Sequence, residues 1–469
     1  MMKVQLVCSG PSQAAVNANR RVLSPELLSA VAARYSRNDN GLDEILELIS
    51  KKDPETSIDS IFKMVDYGHA SIADIAQISI FMDGISIWLA YYVFSICPRA
   101  NGQETSTRYV KFDTKGMLSA TMAGIPKELQ SQWNVFLKMS IEHYQSATKF
   151  WEKISMEHPE LIKIPTELLA ASKADDATGH KDRLVMERLR RNFVFDRARY
   201  FIPVAAFTNF TMTMPARDWV ELVKILSSHY IPEAVALADR LVDELSLIVP
   251  RLMKHCEATE DRRYQHISQL QKAIGLTVRP YTTSKVGVSI DAPSITTNEF
   301  EEYSDLDLAF EAHINRYAYI GPEAQRINVR FAIPDIAMAE LRDLNRHRTG
   351  YKYCPASPVG FYTGYDQVPT DVYAEEVNTT QAYGEFAYQL HKNMLLDNHK
   401  SHPYWSLLGT QYYYEHSTTL DKLVYEIELR TGLGAHFKYR EHMLAVHKAL
   451  LEKLPQLEGM ILIGQGEPE

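Results

Sequence analysis

The sequence predicts an α+β protein built as two tandem units, and three observations carry that expectation. The chain has 469 residues, too many for one hydrophobic core of ordinary size. Stretches with helical spacing outnumber the few that alternate like strands. One succession of strand, buried helix, polar loop and terminal helix pair occurs twice in the same order. The units are expected at residues 1–250 and 301–469, with a polar connecting segment at 251–300 that closes in Ser, Thr, Pro and Asn clusters.

In the first unit, Ser24-Pro25-Glu26 reads as an N-cap with proline at the first helical position, and shorter helical patterns cover Leu42–Lys51 and Ser57–Val65. Residues 76–84, AQISIFMDG, alternate in part and are rich in β-branched side chains, so a strand is expected. The next stretch, SIWLAYYVFSI, is apolar nearly all round and should be a buried helix ending at Cys97-Pro98. Long helices are expected over Lys127–His158 and Lys181–Val194. Residues 198–214 open extended, and two more helices follow, each with proline at its start. In the second unit, residues 324–333 read as a strand and Pro334-Asp335 as the start of a helix. A Ser/Thr-capped helix spans 417–430, the Thr431-Gly432-Leu-Gly434 stretch breaks it, and a closing helix follows.

A net charge of −9 argues against a general nucleic-acid binder, because such a surface repels phosphate backbones. Any anion site must then be a local cluster. The four cysteines are far apart and form no CxxC pair, which points away from a disulfide framework or zinc site and towards a reducing cytoplasm. No apolar run is long enough to span a bilayer. There is no GxGxxG and no Walker motif, so a dinucleotide would not be held on a Rossmann sheet.

Two short stretches stand out in this acidic chain. Glu104-Thr-Ser106-Thr107-Arg108-Tyr109 places two hydroxyls and a guanidinium fork within three residues. It is either a Ser/Thr turn beside a surface arginine or a phosphate cradle. Arg346-His347-Arg348 lies at a helix end, where cations complement the helix dipole by about 0.3–1 kcal/mol each. The alternative is a polyanion site, since arginine supplies planar donor forks. Arg430 and Arg440 flank the glycine-rich break and invite the same two explanations. His69 is a lone histidine of the kind that usually caps or fills a core, and Cys97 and Cys354 have no partner base or acid in sequence.

Taken together, these residues resemble the flavin-dependent thymidylate synthases (ThyX). The first half carries the resemblance through GHASIAD at 68–74, Glu104-x-Ser106-x-Arg108-Tyr109 and Ala198-Arg199. The second half carries it through Arg346-His347-Arg348, Glu428-x-Arg430 and Arg440. Each half lacks what the other keeps: Ile96-Cys97-Pro98 stands at the first half's Arg-His-Arg position, and Ala356-Ser357-Pro358 at the second half's Ser-x-Arg position. Asp74 where the family has Glu, Thr107 for a frequent Gly, and Gly434 for His or Asn are departures.

The resemblance implies two tandem domains, each of helices packed on a small antiparallel sheet. It implies reductive methylation of dUMP at C5 to dTMP, with FAD as cofactor and methylenetetrahydrofolate and NADPH as co-substrates. Arg440 would activate the uracil. Glu104, Ser106, Thr107, Arg108, Arg199 and Arg346 would bind the nucleotide. His69, Ser71, Glu104, Arg346, His347, Arg348, Glu428 and Arg430 would surround the flavin. A homodimer would mimic the family's homotetramer, with no metal, nucleic acid or membrane involved. The alternatives are C5 methylation or hydroxymethylation of another uridylate such as UMP, and a non-catalytic nucleotide-binding remnant.

Overall fold

The structure is a computed structural model and describes residues 2–39, 41–51, 53–66, 70–108, 116–162, 177–281, 285–291, 306–369, 371–432 and 434–464. It is α+β, as expected, and forms two compact units. One comprises Met1–Thr105, Lys115–Lys127 and Ala205–Leu270; the other comprises Ser106–Thr114, Glu128–Val204 and Gln271–Glu469. The spatial division is therefore not the linear one. The helices Gln130–Glu157 and Ala177–Ala198, which precede residue 250 in sequence, are part of the second unit.

The first unit is built on an antiparallel sheet of β1 (Lys3–Val7), β2 (Gln77–Ser86), β3 (Asn101–Glu104) and β4 (Phe207–Pro215), in the order β1-β2-β4-β3. Ile78, Ile80 and Met82 alternate along β2 and are almost fully buried, the period-two pattern of a strand with one face on the core. β2 runs into the helix Ile87–Ile96, whose first turn is capped by Ser86: its Oγ accepts from the Leu89 amide at 3.0 Å. Glu233, itself fully buried, accepts from the Ser86 amide at 2.7 Å and from its hydroxyl at 2.6 Å.

The second unit holds β5 (Gly287–Asp291), β6 (Asn328–Ala337), β7 (Tyr351–Tyr353), β8 (Pro358–Phe361) and β9 (Thr410–Thr419). Their order is β5-β6-β9-β7, with β8 also pairing β9. The connections repeat those of the first sheet. β2 and β6 each lead into a buried helix and then a loop that returns as an edge strand. β4 and β9 each lead directly into a 12-residue helix, Ala216–Ser227 and Leu420–Thr431. The two sheets thus share the placement of these strands and the connections between them.

Three local expectations are corrected. The segment 251–300 is not only a connection: it contains the helix Glu260–Val278 and strand β5. That helix buries His266, Leu270 and Ala273, a narrow stripe at spacings of four and three within a mostly polar sequence. Pro334-Asp335 does not begin a helix. β6 continues through it to Ala337, because the pairing with β9 shifts register between Ile333 and Ile336, and a proline is tolerated at such a bulge. Residues 417–419 belong to β9 rather than to the helix that follows.

Candidate active site

The second unit contains a pocket of about 210 Å³ formed where the loop after helix Met338–Leu344 meets the helix Leu420–Thr431. The loop contributes Arg346, His347, Arg348 and Thr349; the helix contributes Lys422, Tyr425, Leu429 and Arg430. Lys422, Tyr425 and Leu429 lie three and four residues apart, so one helical face supplies them. Four of the predicted residues, Arg346, His347, Arg348 and Arg430, are thereby brought to one place.

The loop and the end of the helix before it are held from behind by donors to their carbonyls. Arg430 Nη2 donates to Asp343 O at 3.0 Å, Lys352 Nζ donates to His347 O, and the His416 ring pairs through Nε2 with Thr349 O at 2.7 Å. Gly350 makes the return into β7 possible: its φ is +68°, and a Cβ there would lie 1.9 Å from Ser417 O. Arg430 Nε donates to His347 Nε2 at 2.8 Å. Burial, reinforced by the Arg430 charge against an opposing Glu426, pushes the His347 pKa down to about 3, so the ring is neutral. The positive charge of the pocket therefore comes from Arg346, Arg348, Lys422 and Arg430. Burial and the neighbouring Arg346 charge also lower the Arg348 pKa.

Beneath these residues in the same unit lies a buried ionic network that sequence reading did not find. Arg108 donates through Nε and Nη2 to the two oxygens of Asp196 at 2.9 and 3.2 Å, through Nη1 to Tyr439 Oη at 3.1 Å, and through Nη2 to Gly434 O at 2.9 Å. Arg199 donates twice to Asp343 Oδ2 at 3.2 Å and approaches Thr107 Oγ1 at 3.5 Å. Tyr200 donates to Glu340 Oε1 at 2.8 Å. Burial opposes ionisation of Asp343, but Arg199, Arg346, Arg108 and Arg430 outweigh it and hold the carboxyl well below its usual range. Burial wins at Glu340, whose pKa rises to about 7 despite Arg199 and Tyr200. Asp343 precedes Arg346 by one helical turn, the one sequence signal that could have exposed this network.

The remaining predicted residues are placed as follows. Ser106 Oγ accepts from the Arg108 amide at 3.2 Å, and Thr107 stands beside Arg199. Arg108 and Arg199 are both buried and committed to carboxylates rather than open to solvent. Arg440 Nε donates to Thr431 O at 3.1 Å, closing the end of helix Leu420–Thr431. Glu428 does not line the pocket; it is fully buried, paired with His313 Nε2 at 2.7 Å and accepting from the Leu462 amide at 2.9 Å. Glu104 ends β3 and Ser71 lies in a short 3₁₀ turn, Ala70–Asp74, both in the first unit. His69 lies outside the described residues. Cys97 is buried, and burial with Asp218 and Glu221 pushes its thiol up to about 12, so it is no nucleophile. No helix among the described residues is long and apolar enough to cross a membrane.

Comparison with known proteins adds three findings. Over 478 aligned residues the chain is 22% identical to "UPF0159 protein Ta1429" of Thermoplasma acidophilum, covering 92% of this chain and 94% of that one. A crystal structure of a UMP/dUMP methylase, PolB, from Streptomyces cacaoi bound with 5-Br dUMP aligns at 14% identity with a TM-score of 0.32, over 54% of this chain and 94% of that chain. Residues 21–251 match the Thy1 family, described as thymidylate synthase complementing protein. None of the residues that line the cationic pocket lies within that match. The family resemblance of the chain is thus carried by residues 21–251, just under half of its length.

Proposed function

We propose that this protein is a flavin-dependent enzyme that modifies C5 of a uridylate, and that its reaction is methylation of dUMP to dTMP with methylenetetrahydrofolate and NADPH. The observation that carries the reading is the convergence of Arg346, Arg348, Lys422 and Arg430 on one pocket in an acidic chain whose residues 21–251 match the Thy1 family. The pocket's residues suit the diphosphate of FAD. Its volume of about 210 Å³ falls below the roughly 300–1,000 Å³ of a site that encloses a whole drug-sized ligand, which matches a site for the phosphates with the rings outside. Arg346 Nε is buried with no hydrogen-bond partner among the described residues, as expected of a donor kept for a ligand.

In this reading the arginines position and the buried carboxylates position the arginines. Arg348 and Lys422 hold the diphosphate, Arg430 reaches it while fixing His347, and Arg346 joins the cofactor and nucleotide regions. Bound flavin supplies the hydride and one-carbon chemistry. Ser106 and Thr107 present hydroxyls to the nucleotide phosphate. Arg108 and Arg199 are positioning residues for that stretch, because Asp196 and Asp343 already take up their forks. Arg440, anchored by Nε to Thr431 O, directs its Nη groups to the uracil edge and stabilises charge developing there, which activates C5 without a cysteine adduct. Water is kept from the buried network, where the low dielectric strengthens each of these pairings.

The test is tritium release from C5-labelled dUMP and UMP, side by side, with methylenetetrahydrofolate, NADPH and FAD. Release from dUMP that requires folate and flavin supports the reading. Release from UMP alone moves the substrate to the ribonucleotide, and no release with no flavin bound contradicts the enzyme assignment.

A further inference from the structure

The repeated backbone allows the two units to be aligned without reference to sequence similarity. Asn101 and Tyr351 open the two edge strands, are 250 residues apart, and pair with Thr213 and Ser417 respectively. Ala216 and Leu420 open the two 12-residue helices and are 204 residues apart. These two offsets give every residue of the cationic pocket a counterpart in the first unit. On the loop, Ile96 stands for Arg346, Cys97 for His347, Pro98 for Arg348 and Arg99 for Thr349. On the helix, Asp218 stands for Lys422, Glu221 for Tyr425 and Leu226 for Arg430.

The counterpart is assembled in space as well as in register. Arg99 of the loop is ion-paired with Asp218 of the helix, and the Cys97 thiol is raised by both Asp218 and Glu221. Its charge is inverted, however. The pocket's basic positions have become Ile96, Pro98, Asp218 and Leu226. The cations nearby are neutralised within the unit: Arg99 by Asp218 with Asp74 at 3.7 Å, Arg217 by Asp74 at 2.7 Å, and Arg262 by Glu221. Lys224 also lies 4.0 Å from Glu221, so an incoming phosphate would meet carboxylates already beside the site's cations and would have to break those pairs to bind.

We infer that each chain carries one polyphosphate-binding pocket, in the second unit, and that the equivalent position in the first unit has been rebuilt as an internal ion-pair cluster that excludes anions. This deepens the proposed function and rests on its reading of the cationic pocket. A chain of two repeats therefore binds half as many flavin diphosphates as it has repeats.

Calorimetric titration of the full-length protein with inorganic pyrophosphate at low salt tests this. Three variants accompany it: Arg348→Ala, Lys422→Glu at a side chain that is 51% exposed and so least able to disturb folding, and Arg99→Gln in the counterpart. The expected result is one equivalent per chain, weakened at least tenfold by Arg348→Ala and Lys422→Glu and unchanged by Arg99→Gln. Two equivalents, one of them surviving in Lys422→Glu, overturn the inference and leave the proposed function standing. One equivalent that Arg99→Gln removes also overturns it. No binding, or binding indifferent to both pocket variants, overturns the reading of the pocket itself.

Discussion

Arg430 donates its Nε hydrogen to Nε2 of His347 at 2.8 Å, so the histidine of the Arg-His-Arg stretch is an acceptor and not a third cation. The ring fixes Arg430 beside the two loop arginines, and its value is orientation. With burial holding its pKa down to about 3, His347 should remain neutral and Nδ1-protonated from pH 5 to 8. Side-chain nitrogen NMR on histidine-labelled protein reads this directly; a midpoint near 6.5 would show that the pair does not persist in solution.

Acid should destabilise the protein well before its exposed carboxylates protonate. His347, His391 and His442 have folded pKa values lowered to about 3, chiefly by burial, against an unfolded value of 6.5. Between those limits the unfolded chain binds more protons than the folded one, so stability rises with pH. The urea midpoint is expected to fall steadily as pH drops from 6.5 towards 3. A flat midpoint over that window contradicts the burial of these rings.

Glu340 has the opposite sign. Its folded pKa is raised to about 7 from 4.5, so its stabilising proton is fully held below pH 4.5 and lost as pH rises through 7. Glu340→Gln, which keeps the shape and removes the titration, should have a higher urea midpoint than the wild type at pH 8.5 and lose that advantage by pH 5. Equal midpoints at pH 8.5 would mean that the carboxylate is not penalised when charged.

Asp196 and Arg108 form a buried two-point pair, and removing one partner strands the other. Asp196→Ala should cost about 3–5 kcal/mol in chemical denaturation, the usual consequence of an uncompensated buried charge. A loss below 1 kcal/mol would indicate that Arg108 can swing out to solvent, and would return it to the set of residues free to bind phosphate.

Among the described residues, the Arg440 side chain donates through Nε to the end of a helix. Arg440→Ala should therefore change thermal stability little while lowering turnover on the order of 10²–10³-fold, as for other single donors at a site of developing negative charge. Comparable losses of stability and turnover would reduce its role to closing the helix.

Much of the fold is legible in the sequence because the two strongest local signals are undiluted: alternation in β2 and near-complete apolarity in Ile87–Ile96. What escapes is whatever depends on distant partners. β3 is four polar residues long and is a strand only because β4 offers it an edge. Helices Gln130–Glu157 and Ala177–Ala198 carry no mark that assigns them to the second unit. At the site, runs of arginine are visible in sequence, but the carboxylates that discipline them are single residues, Asp196, Glu340 and Asp343, with ordinary neighbours. Glu428 shows the reverse error: it sits two residues from Arg430 on a helix, so the two side chains leave in nearly opposite directions, and Glu428 pairs with His313 instead.

Fluorescence titration of FAD into the wild-type protein and into Arg348→Ala asks whether the loop and helix of the second unit hold a flavin diphosphate. Each charge-assisted hydrogen bond lost should weaken binding by about 1.5–3 kcal/mol, roughly 10- to 150-fold. Saturable binding by the wild type, with the variant weakened to that extent and unchanged in thermal stability, is the expected result. Equal affinity in the two proteins would place the flavin elsewhere and contradict the assignment of this pocket.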